Sequence, residues 1–548
     1  MTIYTSEYPV PPLPNSSMFH YLFPQEAGDS PLPFHPAGLP AFIDGVSGRE
    51  LTRAEIEDSS LRLITGLKDL GLGRNDVACI WSLNSLEWVQ ALFGCMAAGL
   101  VVSPANQAYA AHEIAHQINN SGSSILFIDP VLLPIFEKAR PEIKRDFPDE
   151  RIVLLVPRSE KPRGTGHKAL SELFGRRGVP ERREGVHVHD TATLCYSSGT
   201  TGLPKGVMTT HHNLTSQIQA FNVAYEPLDY HKDVILGFVP FSHIYGLSVL
   251  MFQALSKATP VVILPRFDEI AALRSIEKYR VTHCLIVPPV IITLVHSQHL
   301  DSFDISSLKS VMSAAAPLST ELAEAFRKRI PGAAITQGYG LTETSPIITT
   351  FTSHDSQGKA GSIGRLLPTF EARLVTPEGG DAARGERGEL WVRSPSVMKG
   401  YHNNPEATDK TMSGEWFKTG DVLVRDDEGW YTVVDRVKEL IKFKGFQVPP
   451  AEMEGLLLQN PKIADAGVVG VYDASQATEL TAEDEAAFAR EISAWVAARV
   501  AHYKRLSGGL AVVDAIPKTP SGKILRKDLR VRAQAERDAT GHGATAKL

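Results

Sequence analysis

Tyr196-Ser-Ser-Gly-Thr-Thr-Gly-Leu-Pro-Lys-Gly-Val207 is the stretch on which the reading of this chain turns. It follows an apolar β-type run at 193–196 and supplies three glycines, a cluster of hydroxyls and one lysine. Glycines let backbone N–H groups approach phosphate oxygens. The hydroxyls of Ser197, Ser198, Thr200 and Thr201, with the Lys205 ammonium, add donors and charge. In a Walker A loop the lysine follows the last glycine, whereas here Lys205 precedes Gly206. The segment reads as a different phosphate cradle at the end of a strand, with Gly199 and Gly202 as its close-approach points.

Outward from that loop, short apolar runs alternate with amphipathic helix patterns. Residues 76–82, 124–129 and 151–156 read as strands and 85–99 as a helix. The pattern restarts at 193–196 and continues through strands at 234–241, 260–265 and 282–287 and helices near 247–257 and 268–279. Such alternation predicts an α/β fold with parallel sheets covered on both faces. Residues 158–184, dense in Lys, Arg, Gly and Glu, are expected to form a surface loop between two similar subdomains. From 371 to 435, runs punctuated by Gly, Pro and Asp predict a β-rich, antiparallel subdomain. A large N-terminal domain, 1–435, is thus followed by a small α+β domain, 436–548. In the small domain Thr481-Ala-Glu-Asp484 opens a helix with Phe488, Ile492, Trp495 and Val496 on one face.

Composition narrows the function classes. The 548 residues are 43% apolar and 22% charged with a net charge of −6, which excludes a mostly disordered chain and gives no general attraction to nucleic acid. Four cysteines without a CxxC pair argue against a disulfide framework or structural zinc. The first 19 residues lack a basic-then-apolar leader, and the longest apolar stretch, 91–102, falls short of the ~20 residues of a membrane span. The final Ala546-Lys547-Leu548 differs from the Ser-Lys-Leu peroxisomal address by one small-for-small exchange, so delivery by the peroxisomal import receptor is expected.

The Tyr196–Val207 segment resembles the phosphate loop of the adenylate-forming superfamily, which comprises acyl- and aryl-CoA synthetases, peptide-synthetase adenylation domains and beetle luciferases. The resemblance continues through Gln337-Gly-Tyr-Gly-Leu-Thr-Glu343, Lys418-Thr-Gly-Asp421, Asp435-Arg-Val-Lys-Glu439 and Pro517-Lys-Thr-Pro-Ser-Gly-Lys523, in the family's order and over nearly the whole chain. Taken alone, Glu343 reads as an ordinary carboxylate, Asp421 as a turn cap, His243 as a core histidine and Lys523 as one more exposed lysine. The resemblance implies specific roles. Gln337, Gly338 and Tyr339 would accept the adenine ring, the glycines permitting close approach. Thr342 would bond a phosphate, Glu343 would hold Mg²⁺, and Asp421 and Arg436 would take the ribose. Lys523 would neutralise the attacking carboxylate and the α-phosphate, and His243 would gate an acyl pocket lined by Tyr245, Ala314, Ala315, Pro346 and Ile347. Ala314 replaces a glycine usual in relatives, so its methyl is expected to reshape that pocket.

The family activates a carboxylate with ATP and then transfers it to CoA, its small domain swinging between the two reactions. Lys438 matches the hinge, and Lys442, Lys444, Gly445 and Gln447 match the CoA-facing, thioester-forming side. After Gly470-Val-Tyr-Asp473 the chain lacks about one strand of the family pattern, which puts efficient thioester formation in question. The expected function is an ATP- and Mg²⁺-dependent acid–CoA ligase resembling 4-coumarate–CoA ligases, acting on an aryl or medium-chain acid. Ile244-Tyr245 after His243 argues against a luciferase-type oxygenase, and nothing after Lys523 suggests a carrier module. A non-catalytic adenylate-binding protein is the alternative outside enzymes.

Overall fold

The computed structural model describes residues 2–539 except 34, 162–163, 198–202, 356–358, 360, 438, 440, 444–445, 449, 459, 461, 464–465, 471–482, 501–503, 507–509, 514 and 519–523. At 442–443, 446–447, 451–452, 483–487 and 534–539 it describes the backbone alone.

Two large sheets carry the N-terminal part. The first has eight strands in the order Gly400–Tyr401, Lys205–Thr210, Thr191–Ser197, Val101–Pro104, Val77–Trp81, Ile125–Ile128, Ile152–Leu154, Lys168–Ala169. It is parallel except where Lys205–Thr210 runs antiparallel to both its neighbours. The second has seven strands in the order Ala334–Gln337, Ser310–Ser313, His283–Ile286, Ile235–Gly237, Val261–Ile263, Pro40–Asp44, Glu50–Thr52.

This topology corrects two expectations. The strand at 193–196 does not restart the pattern in a second unit; it joins the first sheet beside Val101–Pro104, with Val102 opposite Thr193. The second sheet instead recruits Pro40–Asp44 from near the N-terminus. Nor is 158–184 purely a surface loop. Lys168–Ala169 adds an edge strand, Leu170 and Leu173 are buried, and Arg183 is buried with its guanidinium on Gly99 O at 2.8 Å and Asn75 Oδ1 at 3.2 Å.

The helix Leu86–Ala97 explains how the sheets meet. Ser85 caps it by accepting from the Trp88 N–H, and its apolar residues are buried all round, as suits a helix with a sheet on either side. Around it, Ile80 and Val102 of the first sheet share one core with Val261, Leu285 and Met312 of the second. The outer faces are covered separately. Helices Ala111–Ser121 and Leu133–Ala139 cover the first sheet, and Glu269–Tyr279, Pro288–His296 and Thr320–Arg329 cover the second. The helix expected near 247–257 begins earlier, as a π-helical stretch Tyr245–Phe252 continued by Gln253–Ser256.

Residues 371–435 form the antiparallel unit expected of them, in which Glu371–Val375, Gly388–Arg393, Trp416–Arg425 and Tyr431–Arg436 pair in turn and Tyr4–Thr5 closes one edge. Beyond it, a hairpin of Ile441–Phe443 and Phe446–Val448 precedes the helices Pro450–Leu457, Glu483–Ala497 and Arg526–Ala539. Ile492 and Val496 are buried against Met453 and Leu457, with Phe488 and Trp495 packed alongside, as the face of that helix implied. The segment after Asp473, where the sequence is expected to lack a strand, lies outside the described residues. All four cysteines are buried thiols, and among the described residues no helix is long and apolar enough to cross a membrane.

Candidate active site

The strands that flank the phosphate loop pair with each other. Thr191–Ser197 and Lys205–Thr210 pair antiparallel, with Ser197 opposite Lys205 and Tyr196 opposite Gly206. Ser198, Gly199, Thr200, Thr201 and Gly202 lie outside the described residues. Both flanks of the loop are tied to the end of helix Ala111–Ser121. The Tyr196 hydroxyl donates to Asn120 Oδ1 at 2.6 Å, and His116 Nε2 lies 3.3 Å from Pro204 O. The segment after Tyr401 joins the same corner. His402 N donates to Gly206 O at 2.8 Å, and Asn403 Nδ2 donates to Asn120 O at 3.2 Å.

The strand Ala334–Gln337 delivers the next block. Gln337 Nε2 donates to Ser362 O at 3.1 Å, and Tyr339–Gly340 folds back antiparallel to Ile347–Thr350. The glycines here serve the protein's own packing. A Cβ on Gly340 would stand 1.8 Å from Pro346 O, and one on Gly338 would stand 2.1 Å from Met312 Cε. Beside any role toward a planar ring, the protein's own atoms already require glycine at both positions, main chain at Gly340 and the Met312 side chain at Gly338.

The turn Thr342–Thr344 then presents Thr342, half-buried, and Glu343, 7% exposed. Glu343 is held twice: its carbonyl accepts from Met398 N at 2.8 Å, and Oε1 accepts from the Tyr401 hydroxyl at 2.8 Å. The Lys205 ammonium lies 4.7 Å from the centre of the Tyr401 ring. A single buried carboxylate suits Mg²⁺, which commonly takes one or two carboxylates and completes its shell with water and phosphate oxygens. Among the described residues there is no cluster of three or more His, Cys, Asp or Glu of the kind a fully protein-ligated metal needs.

Asp421 and Arg436 face each other on paired strands, with Arg436 Nε 3.1 Å from Asp421 Oδ1. The Tyr339 hydroxyl donates to Asp421 Oδ2 at 2.7 Å. Burial and the Asp421 carboxylate both hold the Tyr339 phenol well above its ordinary value, so it stays a donor. Burial works against the Arg436 charge, yet Asp421 and Glu439 keep its pKa above the ordinary range. The charges continue past the expected hinge: Arg436 lies 4.0 Å from Glu439, and Arg526 reaches Glu439 at 2.7 Å, the Glu454 carboxylate, and Val468 O at 2.9 Å.

Tyr245, Ala314, Pro346 and Ile347 are buried together beside Met312, whose carbonyl accepts from the Tyr245 hydroxyl at 3.0 Å. Ala315 is exposed. The unusual backbone is there, at φ +70°, and not at Ala314, whose N–H simply donates to Ile286 O at 3.2 Å. His243 is half-buried, and its Nδ1 accepts from Tyr245 N at 3.2 Å, which places the proton of the neutral ring on Nε2.

Lys442 and Gln447 are cross-strand partners in the small-domain hairpin, described in backbone only. Lys438, Lys444, Gly445 and Lys523 lie outside the described residues. The sequence reading missed Tyr401, Met312, Asn120 and Arg526. Tyr401 sits in a short Gly-Tyr strand with no motif to mark it, and the other three act through contacts remote in sequence.

The AMP-binding enzyme family matches residues 34–402, and the AMP-binding enzyme C-terminal domain matches 452–523. The 4-coumarate–CoA ligase 1 of Narcissus pseudonarcissus is 37% identical over 517 residues, covering 91% of each chain. The 4-coumarate–CoA ligase of Pinus taeda is 38% identical over 516 residues, covering 91% of this chain and 93% of its own. Among solved structures, an anthranilate CoA ligase in complex with anthranoyl-AMP aligns with a TM-score of 0.80 at 25% identity, covering 95% of this chain and 98% of that one. The o-succinylbenzoate CoA synthetase of Bacillus subtilis, in complex with ATP and a magnesium ion, aligns at 0.75 with 27% identity over 93% and 98%. The order of motifs, the two-sheet architecture and these matches agree: the chain belongs to the AMP-binding enzyme family, as an acid–CoA ligase.

Proposed function

We propose that this ligase activates an aryl acid of the 4-coumarate type and is delivered to peroxisomes through Ala546-Lys547-Leu548. In the first reaction a carboxylate oxygen attacks the α-phosphorus of ATP and pyrophosphate leaves. In the second the CoA sulfur attacks the acyl carbon and AMP leaves. The observation that carries the reading is the convergence at Tyr401, where the phosphate-hairpin cation Lys205 and the carboxylate Glu343 meet one ring. Lys205 supplies charge for phosphate oxygens, and Asp421, oriented by Tyr339 and Arg436, supplies acceptor sites for ribose hydroxyls. Mg²⁺ bound at Glu343 would offset the negative charge of the triphosphate. Lys523, by family resemblance, meets the attacking carboxylate.

Support for an aryl acid comes from the relatives named 4-coumarate–CoA ligase and from the apolar wall of Tyr245, Met312, Ala314 and Ile347. The test is pyrophosphate release with Mg-ATP across cinnamic, benzoic, phenylacetic and medium-chain fatty acids, with and without CoA. Thioester formation fastest with a hydroxycinnamic acid is expected. A preference for medium-chain fatty acids would refute the aryl assignment. About one equivalent of pyrophosphate without thioester would show that the small domain no longer completes the second reaction. Fluorescent protein fused ahead of the native C-terminus is expected in peroxisomes, and diffuse signal would refute that delivery.

A further inference from the structure

Tyr401 stands where the phosphate hairpin and the Glu343 turn approach each other, and the backbone around it is fastened to both. The strand Gly400–Tyr401 pairs with Lys205–Thr210, Val207 opposite Tyr401, and the pairing is extended by Lys399 N to Met208 O at 2.9 Å and His402 N to Gly206 O at 2.8 Å. On the other side Met398 N donates to Glu343 O at 2.8 Å. The Tyr401 N–H is itself taken by Thr408 Oγ1 at 2.9 Å. With the main chain so fixed, the side chain has little freedom, and it is 6% exposed.

Its two functional faces are both in use. The hydroxyl is a single donor spent on Glu343 Oε1, and the ring carries the Lys205 ammonium at 4.7 Å from its centre. That distance lies within the range of cation–π attraction. A carboxylate held at one oxygen is restrained in rotation, which narrows the directions its second oxygen can take.

We infer that Tyr401 is a positioning residue that couples the phosphate hairpin to the cation ligand, its hydroxyl orienting Glu343 toward Mg²⁺ and its ring holding Lys205 toward the phosphates. The inference rests on reading this site as one for Mg-ATP. Groups that orient a metal ligand typically contribute 10- to 100-fold to metal affinity. The two halves of the role separate chemically. Tyr401→Phe keeps the ring and removes the hydroxyl, whereas Tyr401→Leu removes both.

The experiment is calorimetric titration of the full-length protein with α,β-methylene-ATP, in EDTA and in Mg²⁺, where no turnover occurs. The wild type is expected to bind more tightly with Mg²⁺. Tyr401→Phe is expected to lose ~10-fold of that Mg²⁺-dependent gain while its affinity in EDTA stays within about twofold of wild type. Tyr401→Leu is expected to weaken binding in EDTA as well. An undiminished Mg²⁺ gain in Tyr401→Phe, or equal losses in EDTA and Mg²⁺, overturns the inference. A lower thermal midpoint with both affinities unchanged also overturns it, because the contact would then be structural only. If the wild type bound no nucleotide under either condition, the reading of the site itself would fall, and the inference with it.

Discussion

Adding one methyl group at Gly340 and one at Gly338 should have very different consequences, although the two glycines are two residues apart in one motif. At Gly340 the new Cβ would lie 1.8 Å from Pro346 O and 2.7 Å from Pro346 C. Both are main-chain atoms, so no rotamer relieves the overlap. Real Cβ contacts do not fall below 3.0 Å, so the strands Tyr339–Gly340 and Ile347–Thr350 must part by about 1.2 Å. That displacement moves Tyr339 off Asp421 and shifts the turn carrying Glu343. A misplacement of about 1 Å at a catalytic centre costs ~10²-fold in rate, and Gly340→Ala should lose that much in pyrophosphate release. At Gly338 the conflict is with Met312 Cε at 2.1 Å, the far end of a flexible side chain. Gly338→Ala should therefore keep kcat within about tenfold and change mainly the KM for the acid, and adding Met312→Ala should reverse that change. Steady-state kinetics of the three variants decide the matter. Gly340→Ala acting at near-wild-type rate, or Gly338→Ala as damaged as Gly340→Ala, would refute the crowding argument.

Tyr339→Phe removes a donor from the buried Asp421 and should raise the KM for ATP ~10-fold, the equivalent of about 1.4 kcal/mol, with the acid KM unchanged; an unaltered ATP KM would count against Asp421 as the oriented ribose acceptor. Arg526→Ala leaves Glu439 and Glu454 facing each other without their shared cation and should cost the small domain ~3–5 kcal/mol, seen as lost amide-exchange protection in Pro450–Leu457 and Arg526–Ala539; full protection in the variant would show that the network contributes nothing. His211 is buried, its Nδ1 accepting from Met18 N at 3.2 Å, and burial, reinforced by the nearby Arg183 charge, brings its pKa from 6.5 down to about 3. Between those two values the unfolded chain binds a proton that the folded chain does not, so stability falls as pH drops, by ~1.4 kcal/mol per unit. His211→Gln should flatten the loss of urea stability between pH 7 and pH 5.5, and identical pH dependence in variant and wild type would exclude His211 as its source.

What could be read from the sequence was local. The phosphate hairpin declares itself because its glycines, hydroxyls and Lys205 lie within a dozen residues, and the strand–helix alternation follows from apolar periodicity. Periodicity does not say which sheet a strand will join, which is why 193–196 reads as the start of a second unit yet joins the first sheet, and why nothing in the sequence marks Pro40–Asp44 as part of the second. The same limit applies to the site. Glu343 and Asp421 stand in motifs, but Tyr401 is 58 residues from the carboxylate it holds and Tyr339 is 82 from Asp421. Such partners follow from chain crossings that no window of sequence contains. The motif glycines were legible by position, but what crowds them, main chain at Gly340 and the Met312 side chain at Gly338, comes from segments remote in sequence or folded back on them.

The placement of Pro40–Asp44 in the second sheet bears on how the chain is made. The strand emerges early from the ribosome, yet its parallel partner Val261–Ile263 follows about 217 residues later, a delay of roughly 10–40 s at ordinary elongation rates. Tyr4–Thr5 waits longer still, for Glu371–Val375. Pro40–Asp44 can close a hairpin with Glu50–Thr52 at once, but the edge that joins this hairpin to the second sheet stays open during synthesis. The first sheet, all of whose strands but Gly400–Tyr401 are in hand by Lys205–Thr210, is the part able to form while translation continues. A nascent chain stalled near residue 230 would carry that sheet beside a hairpin whose parallel edge is still open, the point at which a chaperone would find most to hold.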